Sequence, residues 1–100
     1  MNATIEVLEL KKSDKSNVLA SATVQIGLDV DSQITIADFR VLRNKQGGLW
    51  VAVPSRAVQL PASKGFEYHP VVVLSRSLHR ETEDKILGAF ARWEEQQTHG

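Results

Sequence analysis

The stretch Val18-Leu19-Ala20-Ser21-Ala22-Thr23-Val24-Gln25-Ile26-Gly27-Leu28-Asp29-Val30 decides the fold. Its even positions read Val, Ala, Ala, Val, Ile, Leu, Val, and its odd positions are mainly polar. That is the period of a strand with one face buried. Ahead of it, Ile5, Val7, Leu8 and Leu10 predict a first strand, and the polar residues 11–17 supply a hairpin connection. Behind it, Ile34 and Ile36 open a third strand that resumes at Phe39 and Val41. The change of parity near Ala37 and Asp38 predicts a bulge, after which Arg40 points away from Phe39 and Val41. Residues 44–48 form a turn, and Leu49, Val51 and Val53 form a fourth strand stopped by Pro54, because proline cannot donate to a ladder.

Residues 54–65, with Pro54, Pro61 and several small side chains, read as an irregular and mobile excursion, followed by a short extended segment around residues 66–73. Further on, Ile86, Leu87, Phe90 and Trp93 recur at helical spacing among good helix formers. Ser77 would cap a helix that begins at Leu78, and Thr82 would cap a shorter one. The expected architecture is one α+β domain over residues 1–100: an antiparallel β-meander of four to five strands, then one C-terminal amphipathic helix. The helix would cover its own sheet or that of a second copy.

With 100 residues and 42% hydrophobic content, the chain suits one core, and pairing with a second copy would add burial. No cysteine is present, which removes disulfides, thiolate nucleophiles and cysteine-bound metals and suits a reducing cytoplasm. The longest apolar run, residues 71–74, is far too short to span a bilayer, and no targeting segment is read at the N-terminus.

Net charge is zero, but the charges are segregated. Residues 1–38 carry three lysines, Lys11, Lys12 and Lys15, against six acids that include Asp29 and Asp38, a balance of −3. Residues 39–80 carry seven cations, Arg40, Arg43, Lys45, Arg56, Lys64, Arg76 and Arg80, against Glu67 alone, a balance of +6. The tail carries Lys85 and Arg92 against five acids and returns the sum to zero. A middle segment folded onto one face would carry a positive field that the net charge conceals.

Arginine suits phosphate and guanine edges through its planar fork of donors. The candidate nucleic-acid-binding residues are Arg40, Arg43, Arg56, Lys64, Arg76, Arg80 and Lys85. Arg40 is assigned to the sheet, Arg56 and Lys64 to the loop, and Arg76, Arg80 and Lys85 to the approach and first turns of the helix. For each arginine the competing reading is a solvated charge, or, for Arg40, a pair with Asp38. Trp50 lies opposite the main core, where it would stack on a base or pack against the helix or a second subunit; packing is the reading adopted. Phe66, Tyr68 and Trp93 are likewise assigned to packing.

His69, His79 and His99 are too scattered for a shared metal site, and Ser55, Ser75 and Ser77 lack a nucleophile context. The serines read as turn, cap or phosphate-contact residues. Gly47-Gly48 precedes a strand, so it is a turn and no phosphate cradle. Glu81, Glu83 and Asp84 are assigned to the helix dipole and solubility. No convergent acid, base, nucleophile or metal set emerges, so no enzyme, cofactor, metal or small-molecule substrate is expected.

Asp38-Phe39-Arg40-Val41, followed by Gly48-Leu49-Trp50-Val51-Ala52-Val53-Pro54-Ser55-Arg56, resembles the signature block of the stage V sporulation protein G (septation regulator) family. His69-Pro70 and the C-terminal helix fall where that family has them, and the similarity runs from about Ile5 to the end of the helix. The resemblance implies a homodimer that binds DNA with sequence preference, and sometimes RNA, in bacterial gene regulation, sporulation, septation and cell division. The expected partners are therefore nucleic acid and a second copy of the chain, with no membrane. The alternative is a protein-interaction adaptor of the same fold without nucleic-acid binding, which zero net charge and the acidic helix favour.

Overall fold

Four antiparallel strands, β1 (Thr4–Lys12), β2 (Val18–Gly27), β3 (Gln33–Arg43) and β4 (Leu49–Ala52), form a sheet in sequence order. They are followed by a two-stranded ribbon, β5 (Ser55–Gln59) and β6 (Phe66–Pro70), and by one helix, α1 (Arg76–His99). The computed structural model describes residues 4–14, 17–28 and 31–99. Lys15, Asp29 and Val30 lie outside the described residues, as does the side chain of His99. The architecture is α+β, as its strand and helix periods predict. Among the described residues, no helix is long and apolar enough to cross a membrane.

The even positions of β2 are buried and the odd ones half-buried, as the alternation requires. Ala20, Ala22, Val24 and Ile26 join Phe39, Val41 and Val51 from the neighbouring strands, and Ile86 and Phe90 from α1, in one core. Each fully buried large apolar side chain contributes about 1.5–3 kcal/mol. Ile5, Val7 and Leu10 from β1, with Leu87 and Trp93 from α1, border this core.

Val18 departs from the even-numbered pattern. The β2–β3 register slips between Val18 and Ala20, and Val18 is buried outside the main cluster, against a cavity on the other face of the sheet. Leu28, assigned to the buried face, is exposed past the end of β2.

The bulge at Ala37 and Asp38 is present. Ala22 pairs with Phe39 and Val24 with Ile36, so Thr23 faces two residues on β3. Asp38 takes φ 69°, a left-handed conformation that aspartate tolerates better than most residues. Without the extra residue, Arg40 would share the parity of Ile34 and Ile36 and point at the core. With it, Phe39 and Val41 enter the core and Arg40 turns to the opposite face beside Ser21.

Two expectations are corrected. Residues 55–59 are extended, not irregular, and pair with residues 66–70 in a separate ribbon, so β6 is no fifth strand of the meander. Pro54 ends β4, but the chain reverses at Gly65, whose φ of 95° suits glycine, and Leu60 N–H closes that turn on Gly65 O at 2.9 Å. The helix also starts earlier than either proposed cap allows. Ser75 caps it, its Oγ accepting from Leu78 N–H at 3.3 Å. Thr82 lies inside the helix, 1% exposed, and its hydroxyl donates to Leu78 O at 2.8 Å.

Candidate nucleic-acid interface

Helix α1 covers one face of the sheet, so the side chains of the other face stand free of it. The pairs Ser21 with Arg40, Arg40 with Ala52 and Leu42 with Trp50 line up on this open face. At the sheet's β4 edge the ribbon departs, carrying Tyr68 back toward Arg40. A cavity of about 430 Å³ lies between them, lined among others by Ser21, Asp38, Arg40, Ser55 and Tyr68.

Arg40 is half-buried and held. Its Nη2 donates to Ser55 Oγ at 2.8 Å and to Val53 O at 3.4 Å, which ties β3 to the start of β5. It forms no ion pair with Asp38, although both line the same cavity; among the described residues the ion pairs are Lys11 with Glu9 and His69 with Glu67. The guanidinium therefore keeps its charge and further donors for a guest.

Adjoining hollows extend this cavity. One of about 380 Å³ shares Arg40, Ser55 and Tyr68 with the first and adds Trp50, His79 and Glu83. A third, of about 420 Å³, shares His79 and Glu83 with the second and adds Arg76 and Arg80. The result is a groove from the open sheet face, past the β4 edge, to the first turns of α1.

Glu83 has a defined task at this crossing. Its Oε2 accepts from Val51 N–H at 3.0 Å, closing a donor on edge strand β4. The dipole assignment for Glu81, Glu83 and Asp84 is overturned: α1 begins at Arg76 with no acid in its first turn, and Glu83 has its partner on the sheet.

Arg40 lines one hollow and Arg76 with Arg80 the next, the two sharing His79 and Glu83. The other candidate cations lie elsewhere. Arg43 is exposed at the end of β3 and donates to Gly47 O at 3.2 Å across its own turn, which is wound about Asn44, whose Oδ1 accepts from Gln46 and Gly48 N–H. Arg56 sits on β5 opposite His69, Lys64 next to the ribbon's turn and Lys85 on the exposed side of α1, all solvent-facing.

The aromatic assignments divide. Trp93 meets Phe90 with ring centroids 5.8 Å apart, as packing requires. Trp50, Phe66 and Tyr68 remain 44%, 63% and 66% exposed in the single chain. The reason is topological. Trp50 shares its face with Leu42 and Arg40, away from α1, and the ribbon carries the other two beyond the core. Among the described residues no three His, Asp or Glu side chains gather as metal ligands.

Sequence reasoning missed Ser55 as the anchor of Arg40, Tyr68 as a wall of the groove and Glu83 as the edge partner. Residues 55–59, Ser-Arg-Ala-Val-Gln, have no clean alternation, and Glu83 is distant in sequence from Val51, so neither contact leaves a periodic trace. No family model, curated protein or solved structure matches the chain.

Proposed function

We propose that this protein is a nucleic-acid-binding regulator that resembles the stage V sporulation protein G family, acts as a homodimer and performs no catalysis. The observation that carries the reading is a pair of hollows that share His79 and Glu83, one lined by Arg40 and the other by Arg76 and Arg80, none of the three forming an ion pair among the described residues. Arginines on an open, positively charged surface are the usual means of holding phosphates. In this reading Arg76 and Arg80 take phosphates at the approach to α1, Arg40 takes one deeper in the groove, and Arg43, Arg56, Lys64 and Lys85 add longer-range attraction.

The homodimer is supported by apolar surface left over from folding. Phe66, Val71 and Val73 are exposed on or just after the ribbon, Val73 at 85%. The radius of gyration is 15.0 Å, above the about 13 Å of a compact chain of this length. A second copy would cover such projecting surface. The same surface favours the adaptor reading, in which another protein takes it and the groove stays empty.

The test is fluorescence anisotropy with labelled DNA and RNA at low and physiological salt, on the native protein and on Arg76→Ala/Arg80→Ala. Loss of two phosphate contacts should weaken binding to all sequences and lower the slope of log affinity against log salt by about 2. Unchanged affinity in the double variant would remove these arginines from the interface. No binding at low salt would leave the adaptor reading.

A further inference from the structure

We infer that the groove takes a single-stranded polynucleotide, with Trp50 and Tyr68 stacking on bases and Arg40 holding the phosphate between them. The inference rests on the nucleic-acid reading and narrows it to one ligand class.

Trp50 and Tyr68 line the same hollow of about 380 Å³, together with Arg40 and Ser55. Its size lies within the roughly 300–1,000 Å³ of small-ligand pockets. Trp50 is 44% and Tyr68 66% exposed, and neither makes a ring contact among the described residues, where the aromatic pair is Phe90 with Trp93. Large aromatic side chains left open beside a charged donor lose burial that a core position would give them, so a ring-shaped guest would regain it. An unpaired base offers two free faces; a paired one in a duplex is already stacked above and below.

Charge adds a second constraint. Arg40 is pinned by Ser55 Oγ at 2.8 Å, so its guanidinium is held in place before a ligand arrives. Sharing a hollow with two aromatic side chains, it suits a phosphate next to splayed bases. Arg76 and Arg80 continue the cationic track along the adjoining hollow, where His79 and Glu83 bridge the two. A groove that joins stacking surfaces to a row of cations is the physical form of a single-strand channel. A duplex would meet the arginines alone, because its outer surface offers phosphates and groove edges but no base faces.

The test compares a labelled oligothymidylate, an oligouridylate and a mixed-sequence duplex by anisotropy, using the full chain and the variants Trp50→Ala and Tyr68→Ala. Circular dichroism checks that each variant is folded. A Trp93→Phe background isolates Trp50, whose fluorescence should be quenched when an oligonucleotide stacks on it. The expected result is tighter binding to the single strands than to the duplex, with each alanine weakening single-strand binding roughly five- to hundredfold and duplex binding hardly at all. The two oligonucleotides separate deoxyribose from ribose as the preferred backbone. Equal or tighter duplex binding with unquenched Trp50 overturns the single-strand inference and leaves the nucleic-acid reading standing. No binding of any oligonucleotide at low salt overturns both.

Discussion

Replacing Glu83 with alanine should destabilise the protein by about 1–2 kcal/mol, while the same change at Glu81 should cost less than about 0.5 kcal/mol. Both acids lie on α1 beyond its first turn, where the helix dipole contributes little to either. The structure separates them. Glu83 is half-buried and accepts from Val51 N–H at 3.0 Å, whereas Glu81 is exposed. A hydrogen bond to a charged group contributes about 1.5–3 kcal/mol, and partial exposure of Glu83 lets water compete, which brings the expectation down to about 1–2 kcal/mol. Val51 is itself core, so removing the carboxylate leaves its amide at a poorly hydrated edge. For a domain of this size the change corresponds to a fall in Tm of roughly 5–15 °C. Glu83→Gln keeps an acceptor oxygen without the charge and should fall between the native protein and Glu83→Ala. Urea unfolding followed by circular dichroism gives the free energies, with an unchanged slope showing that native and denatured states keep their compactness. Equal stabilities for Glu81→Ala and Glu83→Ala would refute the edge contact.

Phe90, 2% exposed at the centre of the helix–sheet contact, should cost about 3–5 kcal/mol as Phe90→Ala in the same urea titration; a loss below about 1 kcal/mol would mean that α1 is not seated on the sheet. At the β3 bulge, Asp38→Val should cost about 1–3 kcal/mol because a β-branched residue is strained at φ 69°, whereas Asp38→Gly should be neutral or stabilising by thermal denaturation. Phe66→Ser should change the stability of the isolated chain by no more than about 0.5 kcal/mol, since its ring is exposed, and a stability that depends on protein concentration would instead show it buried against a second copy.

What the sequence makes legible is what repeats. The alternation of β2 and the 3.6-residue spacing of Ile86, Phe90 and Trp93 follow from burial of one face, so each element announces itself locally. The Asp38 bulge is legible for the same reason, because an extra residue shifts the parity of everything after it. The ribbon is not, since β5 and β6 bury neither face and leave Phe66 and Tyr68 exposed, which removes the selection for alternation. The helix start was missed because Ser75 and Ser77 offer the same hydroxyl, and the choice falls to the backbone geometry around Leu78. Arg40, Arg76 and Arg80 are visible as cations in the sequence; their convergence depends on how the ribbon and α1 leave the β4 edge.

A net charge of zero is a weaker argument against nucleic acid than it looks. Charges act over a screening length of about 8 Å at physiological salt, so what a phosphate feels is the local arrangement. Glu94 lies 14 residues beyond Arg80 on one helix, which at 1.5 Å per residue is about 21 Å, more than two screening lengths. Glu95 lies farther still. Glu94 and Glu95 therefore leave the field at the beginning of α1 untouched, whereas Glu81, Glu83 and Asp84 stand within four residues of Arg80 and reduce it locally. Glu83 lines both hollows, and one of its carboxylate oxygens accepts from Val51 N–H at the sheet edge. The bulge at Asp38 completes the arrangement by directing Arg40 out of the core at the cost of a strained residue, while Phe39 and Val41 keep the core filled. The same backbone feature thus serves packing on one face and cation placement on the other, which is why the two cannot be varied independently at this position.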